Sequence, residues 1–237
     1  METLADVMEA LEAKGSADRV KLFAKHGAPS DNMFGVKVAD LKVIAKKIKG
    51  RQDLAGALYG TGNGDAMYLA GLVARGAEMS REELDAWAKS STWQTVSEYP
   101  IAWLATEHAE AREIALGWID SDDEAVASSG WCTYTGHVAV TPDAELDLGE
   151  IKALLARIED SIDAAPNRVK YTMNGFVISV GCYVTPLVDV AKATAERLGK
   201  VSVDMNGTAC KVPLAGAYIE KVEKAGRLGK KRKTIRC

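Results

Sequence analysis

Apolar residues recur three and four positions apart along almost the whole chain, the spacing that puts one buried stripe on an α-helix. Leu4, Val7, Met8 and Leu11 make the first stripe, and Gly15-Ser16 interrupts it. Val20, Leu22 and Phe23 make the second, which His26-Gly27 ends, and residues 28–32 read as a loop around Pro29. In MFGVKVADLKVIAKKIKG the stripe is Val38, Leu41, Ile44, Ala45 and Ile48; Lys42, Lys46, Lys47 and Lys49 lie off it and Gly50 stops the helix. Shorter helices are predicted over 53–59 and 65–74. Ser80-Arg81-Glu82-Glu83 and Ser121-Asp122-Asp123-Glu124 both have the form of a capping box, in which a hydroxyl and a glutamate satisfy each other's end of the first turn. The first opens a helix carrying Leu84 and Trp87, the second a helix through Trp131. Residues 91–105 and 109–119 are also read as helical. Ile151, Leu154, Leu155, Ile158 and Ile162 form a regular stripe over 148–162, and Pro166, Pro186 and Pro213 stand where a first turn tolerates a missing N–H. Residues 201–203 suit a short extended piece, and no hairpin is read anywhere.

Helices of about 10 to 16 residues joined by short turns bury their stripes by pairing, and a pair every 40 or so residues is the spacing of HEAT-type repeats. The expected fold is all-α, a HEAT-like repeat α-solenoid of antiparallel helix pairs. Such stacks curve, so a partner is expected on a concave face. Residues 1–200 are assigned to the repeat domain, and residues 201–237 to a C-terminal helix and basic tail packed on it or extending from it.

Composition sharpens this picture at one end of the chain. A hydrophobic content of 47% in 237 residues supports a real core, and the net charge is only −3. Residues 221–237, however, hold eight Lys or Arg against Glu223 alone, which leaves the remainder at −10. A basic end on an acidic body points to an anionic partner at one surface. Cysteines at 132, 182, 210 and 237 have no CxxC spacing, the acidic amphipathic start is unlike a signal sequence, and the longest apolar run, 176–184, is too short for a membrane. These features predict a reducing cytoplasm and no membrane partner.

The chemistry is concentrated in SSTWQTVSEYPIAWLA, where Trp93, Gln94, Ser97, Glu98, Tyr99 and Trp103 fall within eleven positions. If the segment is one α-helix, Trp93 and Ser97 share a face and Glu98 lies about 100° round from Ser97. Elsewhere the candidates fail on spacing. Cys132 and His137 are out of line for a thiol and its base. His26, His108, His137 and the cysteines show no metal-ligand pattern, and GTGNG at 60–64 lacks the Lys-Ser/Thr of a phosphate loop. No metal and no cofactor is expected.

FGVKVADLKVIAKKIK, TGNGDAMYLAGLVA and ELDAWAKSSTWQTVS, taken in that order, resemble the HEAT-like repeat DNA alkylation repair family, the AlkD-type alkylpurine DNA glycosylases. The resemblance covers roughly residues 1–200. It implies a protein that cups duplex DNA and releases 3-methyladenine or 7-methylguanine without flipping the base into a pocket. A carboxylate there stabilises the developing oxocarbenium charge, and tryptophans contact the sugar. The family's pattern of Trp, Asp, two residues and a catalytic Asp reads here Trp93, Gln94, Thr95, Val96, Ser97, so a hydroxyl stands at the acid's position. Glu98 is the substitute to consider. The family's arginine is missing from Gly130-Trp131-Cys132-Thr133-Tyr134, and its second tryptophan falls near Gly175 or Phe176. The chain thus reads as a divergent member lacking the catalytic Asp: a protein binding duplex or alkylated DNA, with weak or no base-excision activity. Trp93 and Trp131 are expected to touch the sugar or lesion, and Lys42, Lys46, Arg168, Lys170, Lys230, Lys231, Arg232 and Lys233 the phosphates. The alternative is a helical-repeat scaffold for a protein partner.

Overall fold

Side-chain capping sets five of the helix starts among the described residues, at Thr3, Asn63, Ser80, Asp123 and Asp147. A computed structural model describes residues 1 and 3–236; Cys237, counted among the four cysteines above, lies outside the described residues. Helix α1 (Leu4–Glu12) opens on a Thr3/Asp6 capping box and α6 (Arg81–Lys89) on the expected Ser80/Glu83 box. The expected box at Ser121 is replaced by a simpler cap: Asp123 accepts from the amides of Ala125 and Val126 and starts α10 (Glu124–Val140). An aspartate carboxylate reaches two amides from that position by itself, so the Ser121 hydroxyl turns instead to the Asp123 amide. Helix α2 (Ala17–Ala24) forms as expected but buries none of its stripe fully, and Leu22 is 51% exposed. Helices α3 (Val38–Lys47), α4 (Gln52–Tyr59) and α5 (Gly64–Val73) follow the predicted stripes, except that Val38, the first residue of α3, is 40% exposed.

The clearest departure lies after α6. Trp93 is not inside a helix but is the extended cap (φ −145°, ψ 127°) of a single turn, α7 (Gln94–Val96). The chain then widens into a π-turn, Ser97–Ile101, before α8 (Ala102–Glu107). Pro100 lies inside the wide turn and has no N–H to give to a regular ladder. The turn also packs tightly: a Cβ on Gly71 of α5 would sit 2.1 Å from the Pro100 Cβ, so only glycine lets these elements approach.

Helices α9 (Ala111–Ile119), α11 (Leu148–Ser161), α12 (Asn167–Tyr183), α13 (Val188–Leu198) and α14 (Ala215–Lys224) complete the order. No strand occurs among the described residues. One hairpin-type turn does, against expectation. Asn206 and Gly207 both have positive φ (54° and 68°), and the Thr208 amide donates to the Met205 carbonyl at 3.0 Å. That is the backbone pattern of a type I′ turn, for which Asn-Gly is the favoured pair.

Contacts divide the chain into two compact units at residue 109/110. One compact unit is Met1–Ala109 with Met205–Thr208, the other Glu110–Asp204 with Ala209–Cys237. In the first, α5 is buried on nearly every face and α1, α3 and α4 pack around it. Asp65 in its first turn accepts three main-chain amides, from Phe34 (2.7 Å), Gly35 (2.8 Å) and Val36 (2.9 Å), and so fixes the loop that leads into α3. In the second, α10 lies between α9 and α12, and α12 also carries α13 and α14. Its core joins Trp131, Tyr134, Phe176, Val180 and Ile219. Among the described residues no single helix is long and apolar enough to cross a membrane, and Cys132, Cys182 and Cys210 form no disulfide.

Candidate nucleic-acid interface

The extended cap at Trp93 turns its indole inward. The ring lies 5.6 Å from Phe23, its Nε1 donates to the His26 carbonyl at 3.1 Å, and only 8% of the residue is exposed. Trp131 is more deeply placed, fully buried at the centre of α10 and edge-on to Phe176 at 5.4 Å, with its N–H unpartnered. Neither offers a face to a sugar or a lesion, which corrects the contact expected of both. The physical reason is that a large apolar ring placed between packed helices gains more from burial than from display.

Ser97 is also withdrawn. It is 1% exposed, and its hydroxyl donates to the Ser91 Oγ at 2.8 Å. Glu98 is 7% exposed in the same wide turn. The π-turn alters the angular relation expected from a regular helix, yet leaves both groups inside the protein. The surface of this segment belongs instead to Tyr99, which is 41% exposed.

A guanidinium does reach Tyr134, but from the neighbouring helix. Arg112 of α9 binds Glu150 through Nε (2.9 Å) and Nη2 (2.5 Å), and the Tyr134 hydroxyl donates to the same carboxylate. Both ends of the fork are spent on the carboxylate, so this arginine is a brace between α9 and α11. Next to it, burial and the Arg112 charge hold the His137 imidazole below its ordinary pKa. A histidine kept neutral in the folded state still takes a proton when unfolded, so the unfolded state gains protons first as the pH falls through 6.5. Stability is therefore expected to drop below that pH, and His137→Gln to flatten the drop. Thermal melts of both proteins from pH 7.5 to 5.5 check this, and parallel curves would refute it.

The cations sort by what holds them. On α3, Lys42 is half-buried and Lys46 exposed; neither they nor Lys47 and Lys49 have an acidic partner among the described residues. Arg168 is engaged, its guanidinium 4.3 Å from the centre of the Tyr171 ring, and Lys170 is half-buried. The chain end is tied down by its backbone: the Gly229 amide donates to the Cys182 carbonyl (2.9 Å) and the Arg232 amide to Ala139 (2.8 Å). Lys231 turns inward, donating to the Val138 carbonyl (2.9 Å) and pairing with Asp143 (2.8 Å). Its neighbours Lys230, Arg232 and Lys233 stay exposed. Lys231 thus departs from the phosphate-contacting role expected of the whole KKRK run, because its ammonium is held by the Val138 carbonyl and Asp143 while its neighbours face outward. Arg227, one of the eight cations of the basic end, joins the exposed set.

An all-helical, HEAT-like repeat protein with exposed cations on α3 and on its chain end is the class these features define. The chain belongs to the DNA alkylation repair enzyme family, which it matches over residues 7–193. It is 34% identical to Uncharacterized protein Lmo0209 of Listeria monocytogenes serovar 1/2a over 216 residues, covering 89% of this chain and 93% of that one. Uncharacterized protein Lin0241 of Listeria innocua serovar 6a is 33% identical over the same lengths. Among solved structures it is similar to a member of a new family of proteins related to the HEAT-like repeat DNA glycosylases with affinity for branched DNA structures. The TM-score is 0.89 and the identity 36%, over 99% of each chain. At the level of the family, DNA is the partner.

Proposed function

We propose that this protein binds branched DNA through its phosphates and does not excise bases. The observation that carries the second half is the state of Ser97, a neutral hydroxyl buried and hydrogen-bonded to Ser91, at the position where the resemblance to the glycosylases implies an acid. An oriented charge at such a position is commonly worth roughly 10²–10³ in rate, and neither Ser97 nor the buried Glu98 supplies it to a bound sugar. The first half is supported by the lysines of α3 and by Arg227, Lys230 and Arg232, none of which has an acidic partner among the described residues. The structural relative's affinity for branched DNA makes a junction the form to test. Phosphate contacts position a protein without reading bases, so shape supplies the preference.

Fluorescence anisotropy with a labelled four-way junction and a linear duplex of equal length tests the binding. Tighter binding to the junction is expected, and equal affinity for both forms would overturn the preference. The same protein incubated with methylated duplex is expected to release no 7-methylguanine; release at the rate of an active glycosylase would overturn the assignment of Ser97.

A further inference from the structure

Within the second unit, α12, α14 and the chain end line a pocket of about 440 Å³, inside the range of roughly 300–1,000 Å³ typical of small-ligand sites. Its lining combines two chemistries. Tyr183 and Tyr218 supply aromatic surface, and Tyr218 stays 47% exposed, although it lies on a helix with a buried face. Arg227, Lys230 and Arg232 supply positive charge, and among the described residues none of the three has an acidic partner. Their places are not those of a loose tail, because the backbone bonds of Gly229 and Arg232 and the half-buried Lys231–Asp143 pair fix the segment. Three cations held round one opening repel one another until an anion enters.

Gly175 provides the second observation. It lies inside the 17-residue α12, where glycine weakens a helix relative to alanine, and it lines the pocket. A Cβ built there would meet no atom within 4 Å. Packing therefore does not require glycine at this position; what its missing side chain leaves is open volume in the pocket. The remaining reactive group, the Cys182 thiol, has its pKa pushed up to about 11 by burial and stays protonated, so the chemistry is that of binding.

We propose that this pocket binds a single unpaired nucleotide, its base stacked on Tyr218 and its phosphate held by Arg227, Lys230 and Arg232. Aromatic faces accept any base, and arginine and lysine match a phosphate. The pocket chemistry stands by itself. That the nucleotide belongs to a DNA strand, as the flap or end at a branch, rests on the function proposed above.

The test uses the full chain and isotopically labelled protein. Titration with deoxyadenosine monophosphate is expected to give saturable amide shifts at Gly175, Ser179 and Tyr218, deoxyadenosine much weaker ones and inorganic phosphate only a subset. Gly175→Leu places a side chain into the open volume, where a Cβ meets no atom within 4 Å, and should abolish the shifts. Tyr218→Ala, a surface change, should weaken binding about fivefold to a hundredfold, the usual range for one stacked base. On DNA, the native chain should prefer a junction with a one-nucleotide 5′-phosphorylated flap over a flush junction, and Gly175→Leu should lose that preference while binding the flush junction as before. No nucleotide shifts and equal affinity for flap and flush junctions would overturn the pocket and leave junction binding intact. Nucleotide shifts blocked by Gly175→Leu in a protein that binds no DNA would keep the pocket as a mononucleotide site and overturn the strand as its source. Phosphate shifts identical to those of the nucleotide would overturn the role of the base.

Discussion

Replacing Asp65 with alanine is expected to destabilise the protein by about 3 kcal/mol or more. The carboxylate is buried and is the acceptor for three successive amides, those of Phe34, Gly35 and Val36. Each buried donor left without a partner costs about 1–3 kcal/mol, and no other acceptor is placed to take all three. Asp65→Asn keeps one oxygen and removes the charge, so it should fall between alanine and the native chain. Urea denaturation reads the effect as a lower midpoint at unchanged slope; an alanine variant with the native midpoint would show that the loop holds itself. The consequence reaches the proposed function, because this loop delivers the chain to α3 and its lysines.

The second large effect is electrostatic. Neutralising Arg227, Lys230 and Arg232 together to glutamine should leave the melting temperature near the native value, since these side chains are exposed and make no ion pair among the described residues. DNA binding should weaken sharply at low salt. Each phosphate contact contributes about 0.9 to the slope of log K against log[salt], so loss of three should flatten it by up to about 2.7. Lys231→Gln is the informative control. Lys231 is spent on Val138 and Asp143, so its loss should lower stability and leave the slope unchanged. The reverse pattern would place the interface elsewhere.

Much of this architecture is legible in the amino-acid order. The stripes of α3 and α11, the Ser80/Glu83 box and the proline-marked starts of α12 and α13 appear where spacing and capping chemistry put them. The candidate site is less legible, for identifiable reasons. Reading Trp93 and Ser97 as helical neighbours assumes a regular ladder, but Trp93 caps the turn from an extended conformation and Pro100 sits in a π-turn. Indole spacing alone does not separate a displayed ring from a core one, and both Trp93 and Trp131 proved to be core. The Asn206-Gly207 turn is marked in the sequence by its residue pair alone. Tyr218, Gly175 and Arg227 come together only through the fold, since 52 positions separate the outermost two and each is unremarkable in its own segment.

The most direct test of phosphate binding without catalysis is a salt titration of the native chain on a four-way junction. Lys42, Lys46, Arg227, Lys230 and Arg232 are five cations available to phosphates, and full engagement gives a slope of log K against log[NaCl] near −4.5. A slope between about −3 and −5 is the predicted result. An affinity that does not change with salt would contradict it and return the protein to the class of helical scaffolds that bind other proteins.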